Sequence, residues 1–234
     1  MAINIDTVYQ RVLAIANKEQ RGYINPQQFN LFANQVQFDI FEDYFFKLSQ
    51  LEFSQKNNSQ YNDLKQLVEE KTRPFENIHQ DMAVVSGTTA TLPTGVYRLG
   101  SVFYNNSTNT IKVESIDAGE IEFVKQLPLV KPTAKHPVYV RTSPTSIVLY
   151  PTTVSPVWST STLNCHFISR PPAVSWGYTE INSVALYNSA SSTNFELHES
   201  EENTLVIKIL ALAGISIKDP ELMQVAMAKE QQTK

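Results

Sequence analysis

Cysteine, glycine and charge are all scarce in this chain. Its 234 residues include one cysteine, Cys165, so neither a disulfide nor a cysteine-built zinc site can form within one chain. A lone thiol also fits a reducing compartment. The seven glycines are scattered and none forms Gly-x-Gly or Gly-Lys-Ser/Thr, which excludes a glycine-rich phosphate loop. A Gly-x-Ser-x-Gly nucleophile elbow is absent too. Charged residues make up 18% of the chain, against about 25% in an average soluble domain. The net charge is −4 and no stretch forms a basic stripe, which argues against a non-specific nucleic-acid binder. It still allows a neutral or acidic channel wall past which DNA slides. The longest apolar run, Ile209 to Ile215, is far short of a membrane span. The opening Met1-Ala2-Ile3-Asn4-Ile5-Asp6 has no basic region followed by an apolar core, and so does not read as a signal peptide.

Hydrophobic residues reach 42%, enough for a real core, while Ser, Thr, Asn and Gln fill the place of charge. Hydroxyls and amides desolvate more cheaply than charges, so such a surface suits a protein that packs against other subunits. A β-rich domain with many polar turns has the same composition.

Helical periodicity marks the two ends of the chain. Asp6 reads as an N-cap, followed by Val8, Val12, Ile15 and Ala16 on one face. Gly22 breaks that helix, and Asn25-Pro26 opens a second, with Pro26 at the first turn. Phe29, Ala33, Val36, Ile40, Tyr44 and Leu48 form its stripe, which Phe32, Phe38, Phe41 and Phe45 widen. A helix this aromatic must touch more than one partner surface. Ser54 to Ser59 reads as a loop and Tyr61 to Lys71 as a third helix, with Pro74 just beyond it. Near the C-terminus Ser200 reads as a cap, Glu201 and Glu202 as first-turn acids, and Gly214 as the helix end. Asp219-Pro220-Glu221 starts a last helix, and the tail Lys229 to Lys234 is polar.

Between Met82 and Tyr187 short β-favouring runs alternate with turns. The clearest is Leu163 to Ile168, where Leu163, Cys165 and Phe167 share one face and Asn164, His166 and Ile168 the other. Asp117 to Lys125 reads as a short helix, and Leu127 to Pro137, with three prolines, as an extended stiff arm. The expected fold is α+β: a bundle of N- and C-terminal helices with an inserted, mainly antiparallel β domain. The boundaries are 1–80, 81–195 and 196–234.

Candidate chemistry is thin. His79, His136, His166 and His198 share no ligand spacing. Cys165 and His166 are adjacent on a strand and point to opposite faces, so they read as a core residue and a surface residue, not a nucleophile–base pair. Glu199, Glu201 and Glu202 read as a helix start. Asp39, Glu42 and Asp43 read as the solvated edge of the second helix, and Glu69-Glu70-Lys71 as an exposed helix end. Arg98, Arg141 and Arg170 read as surface ion-pair formers on a sheet. Trp158, Trp176 and Tyr178 are the glycan-stacking candidates, with plugging a sandwich end as the plainer role. No cofactor and no metal is implied, and the chain reads as a structural protein, not an enzyme.

Several segments carry a resemblance. Ile5-Asp6-Thr7-Val8-Tyr9-Gln10-Arg11-Val12-Leu13 and Gly22-Tyr23-Ile24-Asn25-Pro26-Gln27-Gln28-Phe29-Asn30 resemble the start of small virion proteins encoded beside portal genes in tailed phages. Val96-Tyr97-Arg98-Leu99-Gly100 and Phe167-Ile168-Ser169-Arg170-Pro171-Pro172 resemble their β regions. Phe195-Glu196-Leu197, Glu201-Glu202 and Ala213-Gly214-Ile215-Ser216-Ile217-Lys218-Asp219-Pro220 resemble their C-terminal helices. The pattern, one of order and texture across nearly the whole chain, is similar to the head–tail adaptor, or ring, proteins of short-tailed and crAss-like phages. That resemblance implies a ring, commonly of twelve, beneath the portal, a channel for genomic DNA, a docking surface for the next tail or ring protein, and no cofactor. Its expected location is the head–tail junction of the virion, assembled in the host cytoplasm, with no membrane contact. The alternatives are a fibre-anchoring or decoration protein, or a glycan-binding β module.

A ring needs two different adhesive faces on each subunit. The expected intersubunit contacts are Phe32, Phe38, Phe41 and Phe45 on the aromatic helix, and Pro132 and His136 on the proline-rich arm. Met227, Lys229 and Lys234 are the expected contacts to the portal or a neighbouring ring.

Overall fold

The computed structural model describes residues 3–18, 24–53, 59–106, 109–154, 157–182 and 184–217. The fold is α+β, with N-terminal helices packed on a C-terminal helix and an inserted, mainly antiparallel eight-stranded sheet. Contacts divide the chain into a helical unit, Met1–Pro74 with Pro171–Lys234, and a sheet unit, Phe75–Arg170.

The helical unit holds α1 (Ile5–Lys18), α2 (Pro26–Phe53), α3 (Ser59–Thr72) and α5 (Glu202–Ile217). The cap of α1 is Asn4, not Asp6: its Oδ1 accepts the Asp6 N–H at 2.8 Å. At α2 the side chain of Asn25 accepts from Gln27 N at 3.3 Å, and Gln28 Oε1 returns the bond to Asn25 N at 3.3 Å, so the Asn-Pro start is capped from both directions. Phe29, Ala33, Val36, Ile40 and Tyr44 are buried along α2, as its stripe requires. α2 packs on α5, whose Leu205, Ile209 and Ala213 are buried, α5 also packs on α1, and Tyr9 of α1 lies 4.6 Å from Phe29.

Residues 171–195 group with these helices because α2 captures their backbone. Asn30 Oδ1 accepts from Trp176 N at 2.8 Å, and Gln37 Nε2 donates to Pro172 O at 2.7 Å. The Trp176 indole packs 4.5 Å from Tyr9 and donates to Asp6 Oδ1 at 2.9 Å. Beyond it β9 (Tyr178–Ile181) and β10 (Val184–Tyr187) form a two-stranded hairpin. The cap before α5 is His198, whose Nδ1 accepts from Ser200 N at 3.2 Å. A short 3₁₀ turn then leads into α5. Gly214 does not end α5, which continues to Ile217; one glycine costs a helix only about 1 kcal/mol. Gly22, Asp219 and Pro220 lie outside the described residues.

The sheet unit holds β1 (Glu76–Asp81), β2 (Ala83–Ser86), β3 (Thr89–Thr91), β4 (Val96–Asn106), β5 (Asn109–Ser115), α4 (Ile121–Gln126), β6 (Val138–Arg141), β7 (Ser146–Tyr150) and β8 (Leu163–Ser169). The strand order is β1-β8-β4-β5-β6-β7-β3-β2, antiparallel except for β5–β6. One core, containing Met82, Tyr104, Ile147, Trp158 and Cys165 among others, takes side chains from both ends of that order, so the sheet curls over it. The β8 alternation holds: Leu163, Cys165 and Phe167 are buried, Asn164, His166 and Ile168 half-buried. In β6 Val138, Tyr139 and Val140 are all buried. Tyr139 joins the main core, whereas Val138 and Val140 meet Ile121 of α4.

A parallel β5–β6 pair requires a crossover, and residues 116–137 supply it. This overturns the stiff arm. The Leu127 carbonyl accepts from Val130 N at 3.2 Å and Lys131 N at 2.9 Å, and Thr133 and His136 exchange backbone bonds at 3.2 and 3.1 Å. Pro128 therefore serves a turn and not an extended run.

Candidate functional site

A polar junction ties α3 to the turn before α5. Lys71 of α3 pairs with Glu201, and both are largely buried. The Tyr44 hydroxyl lies nearby, buried beside Glu201. Burial, and then the negative charge of Glu201, push its phenol well above the ordinary range. Asp43 and Lys47 pair at 3.0 Å on the rim, and the groove they border measures about 180 Å³. The arrangement braces α3 against the start of α5. Glu201 is thus a buried ion-pair partner as well as a helix-start acid.

On the sheet unit, two β-bulges flank His166, one in β1 between Asn77 and Gln80, the other in β4 between Leu99 and Val102. The first carries His79 at φ 56°, a left-handed conformation uncommon for a side chain of this size. The rings of His79 and His166 meet edge to face at 4.8 Å, and Phe103 lies 4.8 Å from His166. His166 Nε2 is buried with no hydrogen-bond partner. Burial first, and His79 second, lower its pKa. Cys165 is fully buried on the opposite face, and burial pushes its thiol up to about 11. A thiol held neutral and turned away from its neighbouring imidazole is a poor nucleophile. Among the described residues, no three His, Cys, Asp or Glu side chains gather to hold a metal ion, and no helix is long and apolar enough to cross a membrane.

The glycan-stacking candidates are mostly inaccessible. Trp158 and Trp176 are both buried, with Trp158 donating to Pro151 O at 3.0 Å. Tyr178 is half-buried and stacks on Trp176 at 5.8 Å. Arg141 is spent on its own turn, donating to Ser143 O and Pro144 O.

What the surface offers instead is apolar. The crossover exposes Phe123 and Val130, and Leu129 at its tip is 99% exposed. Lys131 and Lys135 in the same segment are exposed, and Lys125 pairs with Glu122 at 2.8 Å. On α2 Leu31, Gln35, Asp39, Glu42 and Phe46 are all exposed at spacings of three and four, which aligns them on one stripe. Leu31 and Phe46 are 70% and 60% exposed at its ends. The β9–β10 hairpin adds exposed Ile181, Val184 and Leu186.

Of the sequence-derived contacts, Phe32, Phe38 and Phe45 are half-buried on α2. Phe41 is fully buried, 4.9 Å from Phe45, and serves the core, not an intersubunit face. Pro132 is buried in the sheet unit, while His136 is exposed. Met227, Lys229 and Lys234 lie outside the described residues. Sequence reasoning missed Leu31, Phe46, Phe123 and Leu129. The signal that points to the last two is an acid-free run of apolar residues around Pro128, interspersed with lysines. No protein-family model matches this chain, and no curated protein matches it.

Proposed function

We propose that the chain is a virion structural subunit that closes into a ring, of twelve copies by resemblance, at the portal vertex of a tailed bacteriophage. It joins head to tail, contacting the portal on one side and the next tail or ring protein on the other. Genomic DNA passes through the ring without being held, in keeping with a net charge of −4 and no basic stripe. The role needs neither catalysis nor a cofactor.

One observation carries the reading. Each unit presents its own exposed apolar surface, the crossover on the sheet unit and the α2 stripe on the helical unit. Two unlike adhesive surfaces on one chain are what a heterologous, ring-closing interface uses. The test is electron microscopy of intact particles. A ring of this chain at the single portal vertex is the expected result. Copies scattered over the capsid, or grouped in threes on fibres, sink the reading.

A further inference from the structure

The two sheets among the described residues treat their edges differently. The edge strands of the large sheet are β1 and β2. Each carries a bulge, and β1 adds the left-handed His79 and the charged Glu76 and Asp81. Bulges, twists and charges of this kind discourage pairing with another strand. The β9–β10 hairpin has no such guard. It is two strands wide, in unbroken register from Tyr178 opposite Tyr187 to Ile181 opposite Val184. From 178 to 187 it has no proline, lysine or arginine, and Glu180 is its single carboxylate. A two-stranded ribbon is marginal in water and gains from further strands.

The ladder fixes which backbone groups lie open. Asn188 N donates to Gly177 O at 2.8 Å. In that register Thr179–Leu186 and Ile181–Val184 are the hydrogen-bonded pairs. The N–H and C=O groups of Tyr178 and Glu180 therefore point away from β10, and those of Ala185 and Tyr187 away from β9. Among the described residues these four have no other backbone partner. Their side chains share the face on which Tyr178 and Tyr187 meet Trp176. Ile181, Val184 and Leu186 share the opposite face and are 52%, 58% and 49% exposed.

We propose that the β9 edge of one copy pairs antiparallel with the β10 edge of the next, so that the hairpins of an assembled ring form one continuous sheet. The contact rests on the ring reading and deepens it. Every copy owns one edge of each kind, and the two are unlike, as a head-to-tail contact requires. The open groups of both edges come from residues of one face, so any even offset keeps like faces together. Without offset Glu180 lies opposite Ala185. With the two-residue stagger that a closed sheet calls for it lies opposite Tyr187. In both cases the apolar face runs on from copy to copy and no carboxylate meets another. The area sets the mode of assembly. About four backbone bonds and three half-exposed apolar side chains fall well short of the roughly 800 Å² per partner that a free-standing pair buries. One contact alone is weak, and two per copy in a closed ring reinforce each other. A strand from a different protein would fill one edge and leave the other open.

The test concentrates purified full-length chain and follows sedimentation together with amide exchange, resolved to single residues by mass spectrometry. Rings should form without a populated pair. The Ala185 and Tyr187 amides should slow by about tenfold or more on assembly, whereas those of Val184 and Leu186, bonded within the hairpin, should change little. Ala185→Pro deletes one outward N–H and spares the ladder, so it should keep the thermal midpoint and lose assembly. A cysteine pair gives a second readout that needs no proline. Chains carrying Thr179→Cys or Ile181→Cys, mixed under oxidant with chains carrying Leu186→Cys, should link β9 of one copy to β10 of another. Leu186→Cys linking only to itself means a two-fold pairing and overturns the contact. So does a chain that stays monomeric with these amides unprotected at every concentration. Rings at the portal vertex in which Ala185 and Tyr187 exchange as in the monomer overturn it and leave the ring reading standing. Cross-copy β9–β10 links in particles with no ring at that vertex keep the contact and sink the ring reading.

Discussion

Asn34 pairs with both backbone groups of Val174: its Oδ1 accepts the Val174 N–H at 2.9 Å and its Nδ2 donates to the Val174 carbonyl at 2.8 Å. Asn30 and Gln37 hold Trp176 and Pro172 on either side. Three side-chain amides on one face of α2 thus stand in for a neighbouring strand, and the extended segment 172–176 is bound to a helix as if to a sheet edge. Removing one partner leaves a buried backbone group unpaired, at about 1–3 kcal/mol per group. Asn34→Ala should destabilise the protein by about 2–4 kcal/mol in denaturant titration. Asn34→Asp keeps the acceptor but loses the donor, opposing a carboxylate to the Val174 carbonyl, and should lose stability too. Either variant behaving as wild type removes this account of why 171–195 belongs to the helical unit.

The Lys71–Glu201 pair sets a second expectation. Breaking a buried pair from one side strands the other charge, whereas removing both together is far milder. Lys71→Met or Glu201→Leu alone should cost about 3 kcal/mol. The Lys71→Met/Glu201→Leu double variant should cost clearly less than the sum of its single changes. Tyr44→Phe removes the hydroxyl that lies beside Glu201 and should cost less than either of those changes, about 1 kcal/mol. A double-mutant cycle with additive losses would show the pair uncoupled.

His166 makes the sheet unit sensitive to acid. Its pKa lies below the ordinary 6.5 because burial and His79 both oppose the imidazolium. The unfolded chain therefore takes up this proton more readily than the folded one. The neutral ring's contribution is complete above about pH 6.5 and is lost as pH falls below it toward the folded value. Thermal midpoints measured across that window should decline, and His166→Gln should flatten the decline. His79→Ala relieves the smaller of the two causes and should move the decline to a different pH without abolishing it. An unchanged acid limb in His166→Gln would assign the sensitivity to other groups.

Local signals in the chain were legible where the partner is close in sequence. The Asn25-Pro26 start and the β8 alternation follow from neighbouring residues alone, and both appear as read. The cap of α1 is misassigned by two residues because Asn4 and Asp6 are equally good acceptors and only geometry chooses between them. Glycine at position 214 reads as a stop, but its modest cost is outweighed by the buried Ala211 and Ala213 beside it. The amide ladder was invisible. Asn30, Asn34 and Gln37 look like an ordinary polar helix face, and their partners lie 135 to 146 residues away. The crossover was misread for a related reason. Three prolines suggest an extended arm, and nothing local reveals that β5 and β6 run parallel and need the chain to return. The exposed Leu31, Phe46, Phe123 and Leu129 were hidden behind the more conspicuous phenylalanines, of which Phe41 turned out to be core.

Gly177 is where the hairpin meets the rest of the helical unit. Its N–H donates to Ser192 Oγ at 3.0 Å and its carbonyl accepts from Asn188 N at 2.8 Å, so the base of β9–β10 is locked to the turn that follows it. A methyl group here would sit 2.7 Å from the Ser191 carbonyl carbon and 2.8 Å from its oxygen. Both are backbone atoms, and trimming the serine cannot relieve them. Gly177→Ala should cost about 1–3 kcal/mol, and Ser191→Ala should not rescue it. Gly119, with open space where its side chain would be, provides the control, since Gly119→Ala should stay within about 0.5 kcal/mol of wild type. Because the close approach fixes the hairpin's base, amide exchange in 178–187 should quicken more in Gly177→Ala than exchange in α2. Uniform quickening would mean that position 177 acts on the whole unit and not on the hairpin it anchors.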